Sequence, residues 1–112
     1  MLQKDMAAYQ RILYDSKITR PLAFRLSALK RLKQVIKNNE AKILAALYAD
    51  LQKAPLEAYM TEVGMVLDEL SYVIEHLSKW ARVKGVASPK ALFPTTSFIM
   101  PEPYGVVLVM SP

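Results

Sequence analysis

Apolar residues recur every three or four positions through most of this chain, then crowd together near its carboxyl end. Met6, Tyr9 or Gln10, and Leu13 predict a first helix over residues 2–16. Leu22, Leu26, Leu29, Leu32 and Ile36 fall on one face of a second helix. Thr19 can cap that helix. Pro21 suits its first turn, where a backbone N–H has no helical partner anyway. Arg25, Lys30, Arg31, Lys33 and Lys37 lie mostly off the apolar face, towards water. Asn38-Asn39 interrupts, since both side chains compete for local backbone hydrogen bonds. A third helix over residues 40–52 carries Ile43, Leu44, Leu47, Tyr48 and Leu51. Ala54-Pro55 breaks it, and Pro55 opens a long fourth helix reaching about residue 82. The apolar face of that helix comprises Tyr59, Val63, Val66, Leu67, Leu70, Val73, Ile74, Leu77 and Trp80, with acidic residues between them.

The texture changes from Val83 onward. Gly85, Ser88, Pro89 and Pro94 mark an irregular connection over residues 83–96. Ser97-Phe98-Ile99-Met100 is short and β-prone, and Pro101 and Pro103 restrict it to a sheet edge. Val106-Val107-Leu108-Val109-Met110 is apolar at every position and mostly β-branched. That pattern suits a strand buried on both faces, as in parallel sheets covered by helices. A parallel strand reaches its neighbour only through a crossover of about a dozen residues or more. The chain is therefore expected to be part of a larger α/β domain, cut or naturally ending at that domain's first strand. Residues 97–112 are expected to pair with another copy of the chain or with the remainder of a parent polypeptide.

Composition supports a folded chain, since 53% of the 112 residues are hydrophobic and 22% are charged. No run approaches the roughly 20 apolar residues of a transmembrane helix. The amino end has no signal-type apolar stretch and Asp5 argues against a transit peptide, so the expected location is cytoplasmic. The net charge of +5 is unevenly spread. Between residues 20 and 42 seven basic side chains face Glu40 alone, and between 50 and 76 six acidic ones face Lys53 alone. Two solvated helix faces of opposite sign explain this better than a nucleic-acid surface, because the basic segment lacks interleaved aromatics and a helix-turn-helix glycine. There is no cysteine, hence no disulfide, thiolate metal site or cysteine nucleophile. His76 is the sole histidine and has no second ligand type at suitable spacing.

Four segments resemble one known family. Lys17-Ile18-Thr19-Arg20-Pro21-Leu22-Ala23-Phe24-Arg25 is similar to the start of the second helix in aldehyde dehydrogenases of the class 3, fatty and aromatic aldehyde, type. Residues 43–53, ILAALYADLQK, resemble the family's AL-x-x-DL-x-K signature, and residues 57–64, EAYMTEVG, its EAY-x-TEIG stretch. Glu102-Pro103-Tyr104-Gly105-Val106-Val107-Leu108-Val109 resembles the EP-x-GVVLVI strand, and Ser111-Pro112 the approach to its W-N-Y-P motif.

The resemblance implies an α/β parent with a Rossmann-type NAD domain, of which this chain is the mostly α part, four helices followed by two β-strands. It implies an amino-terminal helical region at 1–82, the connection at 83–96, an edge strand of dimerisation type at 97–104 and the truncated first strand of the cofactor domain at 105–112. The implied reaction is oxidation of an aldehyde to a carboxylic acid with NAD or NADP, through a thiohemiacetal on a cysteine. The implied catalytic groups lie beyond Pro112, so no catalytic residue is expected here, the isolated chain is expected to be inactive, and it is expected to hold no cofactor by itself. By resemblance, the main chain of Met110, Ser111 and Pro112 touches the cofactor at a strand end, against the plainer reading of simple strand termination. Tyr59 matches a tyrosine near the mouth of the aldehyde tunnel, against the plainer reading of a core aromatic. The parent is expected to be a homo-oligomer with no metal, no nucleic-acid partner and no transmembrane segment. The competing reading is a non-catalytic helical interaction module derived from the same family.

Overall fold

The structure, a computed structural model, describes residues 2–110, with side chains from residue 6 onward. It is mostly helical, with four helices followed by two short strands. Helices α1 (Leu2–Asp15), α2 (Leu22–Asn38) and α3 (Glu40–Leu51) match the periodic segments to within a residue or two. The fourth helix is composite. An α-turn, α4 (Pro55–Ala58), runs into a π-turn at Tyr59–Val63 and then into α5 (Gly64–Trp80).

The helix ends follow local chemistry. Pro21 stands immediately before α2, and Phe24 donates its N–H to the Pro21 carbonyl. Thr19 lies in the preceding turn. Asn39 separates α2 from α3 and bonds backward rather than forward. Its N–H and its side-chain amide both reach the Val35 carbonyl, and it makes no side-chain cap on α3. Gln52 closes α3 in the left-handed region at φ 54°, donating its N–H to the Tyr48 carbonyl. Pro55 occupies the first turn of α4, where its missing N–H leaves no helical bond unmade.

The chain divides into two compact units. One comprises residues 25–77. Its buried residues are Ala58, Val63, Leu67 and Leu70, all on the fourth helix. Val63, Leu67 and Leu70 stand four and three apart, as one helical stripe requires. Ala58 stands five before Val63. At about 100° per residue, five α-helical steps would place it roughly 140° away from that stripe. The wider π-turn absorbs the extra residue and returns Ala58 to the buried face. Helix α3 lies against α4 and the π-turn.

The apolar stripe of α2 differs from the expected one. Leu22, Leu26, Leu29 and Ile36 are half-buried, but Leu32 is exposed and Lys33 takes its place in the stripe. Lys33 is half-buried, and its ammonium donates to Ser71 Oγ at 2.5 Å. Ser71 Oγ in turn donates to the Leu67 carbonyl. On α5, Val66 is likewise exposed rather than buried.

The other unit comprises residues 1–24 and 78–112. Its sheet pairs β1 (Lys84–Val86) with β2 (Ser97–Ile99), antiparallel, in the register Lys84↔Ile99, Gly85↔Phe98 and Val86↔Ser97. Of the expected edge segment at 97–104, only Ser97–Ile99 is a strand, and its partner comes from the segment expected to be irregular. Ser88 ties the connection together, donating to the Thr95 carbonyl at 3.0 Å and lying 2.8 Å from Ser97 Oγ. The expected strand at 105–112 is not formed over its described residues, 105–110. A strand acquires its backbone hydrogen bonds from a neighbour, and no described segment pairs with this one. Leu108, Val109 and Met110 are each more than four-fifths exposed.

Polar contacts hold the segment just before it. The Arg20 guanidinium donates through Nη2 to both carboxylate oxygens of Glu102, at 2.9 and 2.7 Å. Tyr14 donates its hydroxyl to the Pro103 carbonyl at 3.1 Å. Gly105 sits at φ +106°, where a side chain would be strained. A Cβ there would lie 3.0 Å from Arg11 Nη1 and 3.7 Å from the Tyr14 ring. No helix among the described residues is long and apolar enough to cross a membrane.

Candidate functional site

Tyr59 opens the π-turn. Interior π-turns are uncommon and cluster at functional places in helices, because they expel a residue from the regular ladder and re-aim its neighbours. The Gly64 N–H donates to the Tyr59 carbonyl, the i to i+5 bond that defines the turn. The Tyr59 ring lies back over Gly64. A Cβ at Gly64 would meet the Tyr59 carbonyl oxygen at 3.0 Å and ring atom Cε1 at 3.4 Å. Tyr59 is 38% exposed, so it is not the fully buried core aromatic that its place on the apolar face would suggest.

Two of the sequence motifs meet at this turn. Lys53 follows α3, and its ammonium donates to Glu62 Oε1 at 2.5 Å and to Thr61 Oγ1 at 3.3 Å. Thr61 Oγ1 donates to the Glu57 carbonyl one turn back, a side-chain bond that competes with the regular ladder. Lys53 ends the first motif, while Glu57, Tyr59, Thr61, Glu62 and Gly64 belong to the second. The positively charged end of one is therefore the electrostatic partner of the other. Sequence reading passed over both Lys53 and Gly64. The signal available for Gly64 was a glycine inside a helical pattern, which costs about 1 kcal/mol relative to alanine and so asks for a reason. No local signal links Lys53 to Glu62.

Met110 is the last described residue, is 85% exposed and lies in a segment without regular structure. Ser111 and Pro112 lie outside the described residues. Tyr59 and Met110 belong to different units. The chain's three glycines are far apart, at 64, 85 and 105, so no glycine-rich loop is available to cradle phosphates.

His76 is engaged locally. Its Nδ1 lies 2.8 Å from the Tyr72 carbonyl and its ring stacks on Tyr72 at 4.1 Å. No group of three or more potential metal-binding side chains occurs among the described residues.

No protein-family model matches the chain. It is similar to a 4,4'-diaponeurosporen-aldehyde dehydrogenase of Staphylococcus aureus, 44% identical over 88% of this chain and 23% of that protein. It is similar to the dimeric NADP-preferring aldehyde dehydrogenase of Canis lupus familiaris, 39% identical over 89% of this chain and 22% of that protein. Among solved structures it is similar to the substrate-bound state of Staphylococcus aureus AldH, with a TM-score of 0.84 and 39% identity, covering 89% of this chain and 22% of that one. The chain spans about a fifth of the length of the curated relatives it matches.

Proposed function

We propose that this chain, similar over most of its length to class 3 aldehyde dehydrogenases, is the amino-terminal region of such an enzyme and serves an NAD(P)-dependent oxidation of aldehydes to carboxylic acids. The observation that carries this reading is the combined match in sequence and fold to a substrate-bound aldehyde dehydrogenase, at 39% identity and a TM-score of 0.84. In this reading the thiolate that attacks the aldehyde, and the groups that stabilise the resulting oxyanion, lie beyond Pro112. NAD or NADP would supply the hydride acceptor. The residues of this chain take positioning roles. Tyr59 lines the approach of the aldehyde with a half-exposed ring whose hydroxyl can face water. The main chain of Met110, Ser111 and Pro112 meets the cofactor. A cytoplasmic homodimer completes the reading; its dimeric part is supported by the canine relative, which is named dimeric.

The test is a chimera in which this chain replaces the matching region of the Staphylococcus aureus relative. A folded chimera that oxidises aldehydes with NAD or NADP supports the proposal, and a folded but inactive one overturns it. In the active chimera, Tyr59→Ala raises KM for the aldehyde and leaves KM for the cofactor unchanged. The isolated chain, having no cysteine, yields no NADH or NADPH from aldehyde. Sedimentation of the chimera reads the dimer.

A further inference from the structure

We propose that Gly64 is a positioning residue for Tyr59: the missing side chain at 64 lets the helix widen into a π-turn and lets the tyrosine ring fold back over the glycine. The inference rests on the reading of Tyr59 as part of the aldehyde approach and adds what sets the ring's place. Three observations carry it. The Gly64 N–H bonds the Tyr59 carbonyl across five residues instead of four. A Cβ at position 64 would lie 3.0 Å from that carbonyl oxygen and 3.4 Å from ring atom Cε1. The first of these contacts involves backbone, which yields only if the turn itself changes. The ring must also move, because Cε1 and Cδ1 both lie within 3.7 Å of the same point.

The π-turn has its own reason to exist, since it returns Ala58 to the buried stripe of Val63, Leu67 and Leu70. Lys53 braces it from outside through Glu62 and Thr61. A side chain at 64 therefore sets two demands against each other, keeping Ala58 buried and keeping the ring where it lies. Both the turn at the Tyr59 carbonyl, by a few tenths of an ångström, and the ring, on the more exposed side, have to shift.

The experiment uses the 112-residue chain, with NMR and thermal melting and no aldehyde present. In the unsubstituted protein, isotope-labelled tyrosine rings are assigned with Tyr59→Phe, and cross-peaks join the Tyr59 ring to the Gly64 α-protons. In Gly64→Ala the Tyr59 ring resonances shift, and the melting temperature falls by roughly 3–6 °C. Gly85→Ala is the control, since nothing lies within 4 Å of a Cβ there, and it leaves both readouts nearly unchanged. Missing cross-peaks in the unsubstituted protein overturn the proposal. So does a Gly64→Ala protein that melts higher, as ordinary helix-interior glycines do on replacement, or one whose Tyr59 ring resonances stay put. Because no aldehyde enters, failure here refutes positioning by Gly64, while the place of Tyr59 at the aldehyde approach is judged separately by the KM of the chimera.

Discussion

Residues 63–70 and residues 104–110 are both rich in large apolar side chains, yet they end up in opposite environments. Val63, Leu67 and Leu70 are buried, whereas Tyr104, Leu108, Val109 and Met110 are almost wholly exposed. The difference lies in the backbone. A helix satisfies its own N–H and C=O groups, so a stripe at three- and four-residue spacing needs only a modest apolar surface beside it. An apolar run at every position has no helical face and needs neighbouring strands for its hydrogen bonds and cover for both faces. Residues 25–77 bury the stripe of Val63, Leu67 and Leu70 with their own side chains. The segment from 104 to 110 is not covered in this way, and what holds its beginning is polar: the Arg20–Glu102 pair, the Tyr14–Pro103 bond and the turn at Gly105.

The strongest test of that contrast removes apolar volume from the stripe. Leu67→Ala is expected to destabilise residues 25–77 by about 2–5 kcal/mol, through lost burial and the cavity left behind. Chemical denaturation followed by helical circular dichroism measures it, and a loss under about 1 kcal/mol would show that the stripe is not what holds this unit. Gly105→Ala attacks the other region. A side chain at φ +106° beside Arg11 and Tyr14 is expected to cost about 1–2 kcal/mol. Faster amide hydrogen exchange over residues 102–106 is the readout, and unchanged exchange would remove the turn from the account.

A third substitution goes the opposite way. Gln52 closes α3 in the left-handed region, which favours glycine, so Gln52→Gly is expected to stabilise by about 0.5–1 kcal/mol. A lower melting temperature would mean that the Gln52 side chain contributes more than its backbone strain costs. The smallest effect belongs to Glu102→Gln. The pair is about half exposed on both sides, so its loss is expected to cost no more than about 1 kcal/mol, and less at high salt. Local exchange at 102–103 measured at two ionic strengths checks this, and a large salt-independent loss would promote the pair from a tether to a structural anchor.

Most of the helical architecture was legible in the residues themselves. Spacing of apolar positions located α1, α2, α3 and the long fourth helix, and Pro55 and Asn39 marked its breaks, because periodicity and capping are local properties. Tyr59 was legible as a candidate through its motif. The apolar stripe of α2 differs from the expected one by one position: Lys33, at helical spacing from Leu26, Leu29 and Ile36, lies in the stripe where Leu32 is expected, and its ammonium donates to Ser71, far along the chain.

The sequence by itself thus determined the helices, the absence of a cysteine nucleophile and the family resemblance, all of which depend on residue identity and near-neighbour spacing. Only the tertiary structure decided the rest. It set the pairing of Lys84–Val86 with Ser97–Ile99, the tether from Arg20 to Glu102 across 82 residues and the bracing of the π-turn by Lys53. It also left Val106–Val109 unformed as a strand. The physical reason is common to all of these. A hydrogen bond or ion pair between distant residues is specified by which surfaces meet after the chain has closed a loop, and loop closure leaves no periodic trace in the order of the residues.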